Sequence, residues 1–84
     1  MKKSYPCAIT RKSLSCLSAY SPDLECCVEG KSIVDLRKKM QEAILHVLLF
    51  MQMSGKKFPE PSREKDVSIE YPTKRIVLIA VDIE

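Results

Sequence analysis

Residues 32–55 run Ser-Ile-Val-Asp-Leu-Arg-Lys-Lys-Met-Gln-Glu-Ala-Ile-Leu-His-Val-Leu-Leu-Phe-Met-Gln-Met-Ser-Gly, and this stretch decides the fold. Apolar residues recur at Ile33, Leu36, Met40, Ala43, Ile44, Val47 and Met51, the three-to-four spacing of a helix with one buried face. Ser32 is an N-cap, and Asp35 three residues on makes a shortened capping box. Asp35 and Lys39 are spaced for an i,i+4 pair. At the other end Ser54-Gly55 stops the helix, Lys56 and Lys57 suit the negative end of its dipole, and Pro59 blocks continuation. The result is a helix of about 22 residues and roughly 33 Å. Its second half is apolar nearly all round, with Leu48, Leu49 and Phe50 filling the outer face. A three- or four-stranded sheet covers one side of a helix, so that outer face is expected to meet something else, such as the C-terminal tail or a second subunit.

Upstream, Tyr5–Thr10 alternates, with Tyr5, Cys7 and Ile9 on one face, and predicts a strand. Arg11-Lys12-Ser13 predicts a short hairpin loop and Leu14–Tyr20 the returning strand; a two-residue loop at Arg11-Lys12 would set Cys7 opposite Cys16, and a longer loop would shift that register. Ser21-Pro22-Asp23-Leu24 is a turn, and Glu25–Val28 a short third strand. Downstream, Phe58–Thr73 is a polar connection broken by Pro59, Pro61 and Pro72, in which Val67–Tyr71 alternates like a short edge segment. Ile76–Ile83 is the last strand, so continuously apolar that both faces should be covered or lie at a subunit interface. The fold class is therefore α+β, in the order β-β-β-α-β: a three-stranded antiparallel meander, a long helix and a closing strand.

The 84 residues fit one domain, 1–84. A chain this short buries only roughly 60–65% of its unfolded surface, so added stability from self-association is expected. With 45% apolar and 30% charged residues the composition is that of a folded soluble protein. The net charge of +3 permits an acidic partner without requiring one. Met1-Lys2-Lys3 is followed by Ser4-Tyr5-Pro6 rather than an apolar run, so no secretion signal is expected. The apolar stretch Ala43–Met51 is too short to span a membrane. These features predict a cytoplasmic protein with reduced thiols.

The candidates for chemistry are few. The four cysteines, Cys7, Cys16, Cys26 and Cys27, contain no C-x-x-C and share one histidine, His46, so they predict small buried hydrophobes rather than a metal site. Asp23, Glu25 and Asp82 are the acids near strand ends, better suited to turns and solvated ends than to paired acid–base work. His46 follows Glu42 by four residues, a spacing for a helix-surface hydrogen bond. With only Gly30 and Gly55 there is no phosphate-cradling loop. The basic groups Lys2-Lys3, Arg11-Lys12, Arg37-Lys38-Lys39, Lys56-Lys57 and Lys74-Arg75 are scattered through the chain, without an aromatic platform for single strands. No catalytic residue, cofactor or metal is expected, and the function should be one of binding.

The hairpin from Tyr5 to Tyr20, the Pro22-Asp23-Leu24 turn with Cys26 two residues on, Gly30 before a Ser-capped helix, the tail Gly55-Lys56-Lys57-Phe58-Pro59-Glu60-Pro61-Ser62 and the closing Val81-Asp82 occur together in this order. The set resembles the N-terminal domain of HicB-type antitoxins, over Tyr5 to Asp82. The resemblance implies a reduced ribonuclease-H-like sheet in a bacterial protein that binds and masks a small basic mRNA-cleaving toxin of the HicA type. It also implies a homo-dimer or homo-tetramer. Expected partner-binding residues are Tyr20, Pro22, Asp23, Leu24 and Glu25, and the expected oligomer interface is Leu48, Leu49, Phe50, Val77, Ile79 and Val81. Three features depart from the family pattern. Glu25 stands where the family usually has glycine, the hairpin loop lacks the family's glycines, and no C-terminal DNA-binding module follows, so DNA binding is not expected. The basic balance also runs against a basic partner, leaving a local acidic patch around Asp23, Glu25 and Glu29 to serve. The competing readings are a stand-alone oligomeric scaffold of the same fold and a nucleic-acid-binding protein.

Overall fold

The computed structural model describes residues 2–82. The order is β1 (Lys2–Ser13), β2 (Cys16–Ser21), β3 (Cys26–Gly30), α1 (Ile33–Met53), α2 (Glu64–Glu70) and β4 (Arg75–Asp82). One antiparallel sheet carries the four strands in the order β3-β2-β1-β4. The α+β class and the closing strand are as the sequence predicts, and α2 is an addition. Ile83, assigned to the last strand from sequence, lies outside the described residues.

α1 begins and ends on the predicted signals. The Ser32 hydroxyl accepts from the Asp35 amide at 3.1 Å, and the Asp35 carboxylate accepts from the Lys31 amide at 3.1 Å and pairs with Lys39 at 3.3 Å. At the far end Lys56 N–H donates to the Met51 carbonyl and Gly55 N–H to that of Gln52, with Gly55 at φ 73°, the left-handed cap that glycine adopts without penalty. The face that α1 buries is the strict i,i+4 row Leu36, Met40, Ile44 and Leu48, flanked by Ile33, Val47 and Met51. It lies on Tyr5, Cys7, Leu17, Ala19, Val77, Ile79 and Val81 of the sheet, with Leu24 closing one end. Gly30 sits where β3 meets the helix, and a Cβ there would fall 2.7 Å from the Asp35 carboxylate.

The hairpin differs from expectation. Arg11 and Lys12 belong to β1, and the turn is Leu14-Ser15. Leu14 at the tip is 97% exposed, so an apolar residue that suggested strand is loop. Lys12 stays on the sheet because its ammonium meets Glu29 at 2.9 Å, and the register slips between Arg11 and Ser13 to admit an extra residue. Cys16 consequently pairs with Ser13, and Cys7 lies beside Val77 of β4. The expected Cys7–Cys16 pairing does not occur. Continuing the Ala8–Tyr20 register places Ser21 against Cys7, and Ser21 in turn pairs with Cys26.

Residues 64–70 form a helix, not the edge segment that alternation suggested. Val67 alone is buried, and Ile69 is 69% exposed, so two of the three alternating apolar residues do not share a covered face. Glu64 and Asp66 occupy the first turn, where the helix dipole favours acids. Side chains alternate across a strand, so Pro6, Ala8, Ser18 and Tyr20 face away from α1. Pro6 and Ala8 are nonetheless buried, and α2 packs against β1 and β4, covering that second face.

β4 is a sheet edge. Its alternation is sharper than its composition: Val77, Ile79 and Val81 are buried under α1, whereas Leu78 and Ala80 are exposed. Side chains of α1 reach over the edge. Arg37 Nη1 donates to the Leu78 carbonyl at 3.3 Å and Gln41 Nε2 to the Ala80 carbonyl at 3.0 Å. Leu78 therefore turns its backbone groups outward, and its partner Pro6 turns toward the β2 side, one position beyond Ser21, the last residue of β2. The missing proline donor thus falls where no ladder bond is required.

Candidate functional site

The β2–β3 turn, expected to contact a partner as a unit, is divided by the fold. Leu24 is buried in the core. Asp23 points toward the α1 side, where its carboxylate accepts from the Ser62 amide at 2.9 Å and from the Ser62 hydroxyl. Both residues therefore have structural roles within the chain: Leu24 caps the core, and Asp23 ties the turn to the segment that precedes α2. The same segment is held at Tyr5, whose hydroxyl donates to the Pro59 carbonyl at 2.8 Å, and at Lys3, which meets Glu60 at 3.3 Å. Burial, with Asp23 and Glu60 nearby, raises the Tyr5 pKa and keeps the phenol a donor.

Tyr20, Pro22 and Glu25 remain accessible, Tyr20 and Pro22 half-buried and Glu25 exposed. Glu25 has φ 54°, the one non-glycine residue with positive φ among the described residues. That is the backbone reason a glycine suits this position. Tyr20 faces the α2 side. Partial desolvation raises its pKa, and the charges of Glu25 and Glu70 and the Tyr71 phenol add to that rise. The acidic patch is therefore not Asp23, Glu25 and Glu29 together. Asp23 is occupied by Ser62 and Glu29 by Lys12, which holds the Glu29 carboxyl below its ordinary pKa. Glu25 stays, and Glu70 and Tyr71 of the α2 end join it. The sequence offered no signal for those two, since α2 was not expected and only the tertiary fold lets their charges act on Tyr20.

The expected oligomer residues also divide. Leu48, Val77, Ile79 and Val81 lie inside the core between α1 and the sheet and have no surface to offer. Their apolar character reflects burial within the chain. Leu49 and Phe50 are exposed, and Met53 one turn on is 87% exposed, so an apolar patch does lie at the C-terminal end of α1. Beside it a shallow concavity of about 470 Å³ is lined by Lys3, Lys56, Lys57, Phe58 and Glu60.

The cysteines are free: Cys7 is buried, Cys16 and Cys26 are half-buried, and Cys27 is exposed, so burial holds for only part of the set. Burial pushes the Cys7 thiol up to about 12. Ser21 lies between Cys7 and Cys26, fully buried, and its hydroxyl has no well-formed hydrogen bond. Among the described residues no group of three or more His, Cys, Asp or Glu is arranged to hold a metal ion, and no helix is long and apolar enough to cross a membrane. Several basic residues are engaged locally: Lys3 with Glu60, Lys12 with Glu29, Lys39 with Asp35 and the Glu29 carbonyl, and Arg37 with Leu78.

The chain matches no family model, and no curated protein sequence matches it. Its fold is similar to the crystal structure of the Burkholderia pseudomallei antitoxin HicB, with a TM-score of 0.83 over 95% of this chain at 23% identity. The chain spans 62% of the length of that protein. The fold expected from the sequence resemblance is thus present, a HicB-like sheet with α1 across one face.

Proposed function

We propose that this chain is an antitoxin-like protein-binding module that captures and masks a small mRNA-cleaving toxin of the HicA type in the bacterial cytoplasm. The observation that carries this reading is the HicB-like fold over 95% of the chain. The order of sequence motifs from Tyr5 to Asp82 resembles the same family. The exposed part of the β2–β3 turn with the α2 end supplies local negative charge on a chain of net charge +3, which suits a basic partner. The test is a native pull-down of the tagged chain from its own cells, followed by reconstitution. A stoichiometric small basic protein that cleaves mRNA alone and stops when the chain is added supports the reading. A recovered partner whose cleavage is unaffected counts against it.

A second reading, an oligomeric scaffold without a toxin, is favoured by the exposed patch Leu49, Phe50 and Met53. It proposes a homo-dimer or homo-tetramer through the outer face of α1. Leu49→Lys should reduce the oligomer to monomers in sedimentation while leaving the fold intact, because that side chain already reaches solvent. An unchanged oligomer places the contact elsewhere.

A further inference from the structure

We propose that Cys26 Sγ, Met40 Sδ and the Ser21 hydroxyl form a binding site for one soft monovalent metal ion, Cu(I). Three elements bring these groups together. Ser21 and Cys26 are paired directly across β2 and β3, on the sheet face that α1 covers. Met40 stands over them in the buried row of α1, and its thioether lies 3.8 Å from the Cys26 thiol. Two sulfurs that each bind one ion at about 2.3 Å stand roughly 4–4.6 Å apart, so this pair has to open by less than about 1 Å. Ser21 points to a ligand independently. It is fully buried and its Oγ meets no hydrogen-bond partner, whereas buried hydroxyls as a rule are paired. A thiolate formed beside it accepts that hydrogen bond.

Thiolate and thioether sulfur select Cu(I) over harder ions. On binding, the Cys26 S–H bond breaks and an Sγ–Cu bond forms. The proton leaves to solvent past Cys26, which is half-buried on the edge strand β3, and no electron moves. One thiolate cancels one monovalent charge, so the filled site is neutral. A divalent ion would leave a net charge beneath α1, which burial disfavours. Cys7 stays a thiol, since it is fully buried and its Sγ–H is directed to the Tyr5 carbonyl at 3.7 Å.

The site does not depend on the protein-binding reading above. Its test is an anaerobic titration of the reduced full chain with Cu(I), in competition with the Cu(I) chelator bicinchoninate. The same titration is followed by NMR of ¹³C-labelled methionine methyls. One ion per chain should be withheld from the chelator, and the Met40 methyl should shift while those of Met51 and Met53 stay. Met40→Leu, which conserves core volume, and Cys26→Ser should each bind on the order of tenfold more weakly or worse. Ser21→Ala should also weaken binding. Cys16→Ser/Cys27→Ser removes the thiols outside the cluster and should bind as the parent chain does. If no ion is withheld, the Cys26–Met40 contact is core packing and the site is overturned. Binding lost in Cys16→Ser/Cys27→Ser, or methyl shifts at Met51 or Met53 without Met40, places the ion on other sulfurs and overturns it equally. The methyl shifts are read on the parent chain, so they decide the matter even where a variant does not fold.

Discussion

Asp23 and Ser62, 39 residues apart, are joined by two hydrogen bonds, from the Ser62 amide and from its hydroxyl to the two carboxylate oxygens of Asp23. This contact fixes the path of the chain from the end of α1 around to α2, because residues 54–63 contain no regular structure of their own. Asp23→Ala should cost about 1–3 kcal/mol, since it strands two partly buried donors. Limited proteolysis should then cut first in 59–63, with the α1 core still protected. Uniform protection in the variant would mean that Tyr5 and Pro59 hold the segment unaided.

The Leu78 and Ala80 carbonyls on the β4 edge are covered by Arg37 and Gln41. Exposed strand edges pair with other chains unless something blocks them. Arg37→Ala/Gln41→Ala should raise concentration-dependent self-association above that of the parent chain in analytical ultracentrifugation. Equal association would show that the edge is closed by the bulk of α1 rather than by these two hydrogen bonds.

The Cys7 thiol, normally near 9.0, is pushed up to about 12 by burial, with Cys26 and Asp23 adding to the rise. Its folded pKa exceeds its unfolded one, so its contribution to stability is complete below pH 9 and is lost as pH rises from about 9 toward about 12. Urea unfolding measured under reducing conditions from pH 8 to 11 should show a progressive loss in the parent chain. Cys7→Ala should begin less stable, from the small cavity it leaves, and should lose less across the same window. Parallel curves would shift the alkaline loss to Tyr5 or Cys26, whose pKa values are also raised.

Ser21 Oγ is buried without a good partner, a costly state for a hydroxyl. Ser21→Ala should leave stability unchanged or raise it by about 1 kcal/mol in chemical denaturation. A loss of that size would show that the Cys7 and Cys26 thiols do satisfy the hydroxyl.

The Asp35 carboxyl, held below its ordinary pKa by the Lys31 amide and Lys39, favours the folded state above the usual carboxylate range and loses that contribution as pH falls through its depressed pKa. Ser32→Ala removes the other half of the cap and should cost about 1 kcal/mol at neutral pH. Gly30→Ala should cost more, because its Cβ would fall on the Asp35 carboxylate and against Leu36.

By itself the sequence determined what depends on neighbours along the chain. The Ser32 cap, the Asp35–Lys39 pair, the Gly55 stop and the apolar row of α1 are set within one or two turns, and the alternation of Tyr5, Cys7 and Ile9 is set within one strand. The same local signals carried the β-β-β-α-β order and the family resemblance. Only the tertiary structure decided which apolar residues are core and which are surface. Leu48 and Leu49 are adjacent leucines, yet Leu48 is fully buried and Leu49 is not, because a helix turns by about 100° per residue and the sheet lies on one side. Long-range pairing likewise moved the hairpin tip to Leu14, through Lys12 on Glu29, and put Val67 of a proline-flanked connection into a helix over Pro6 and Ala8. The division of the β2–β3 turn, with Leu24 in the core, Asp23 held by Ser62 and Glu25 left exposed, rests on a contact 39 residues away. No local pattern encodes that separation, since each side chain's direction depends on which distant partner reaches it first.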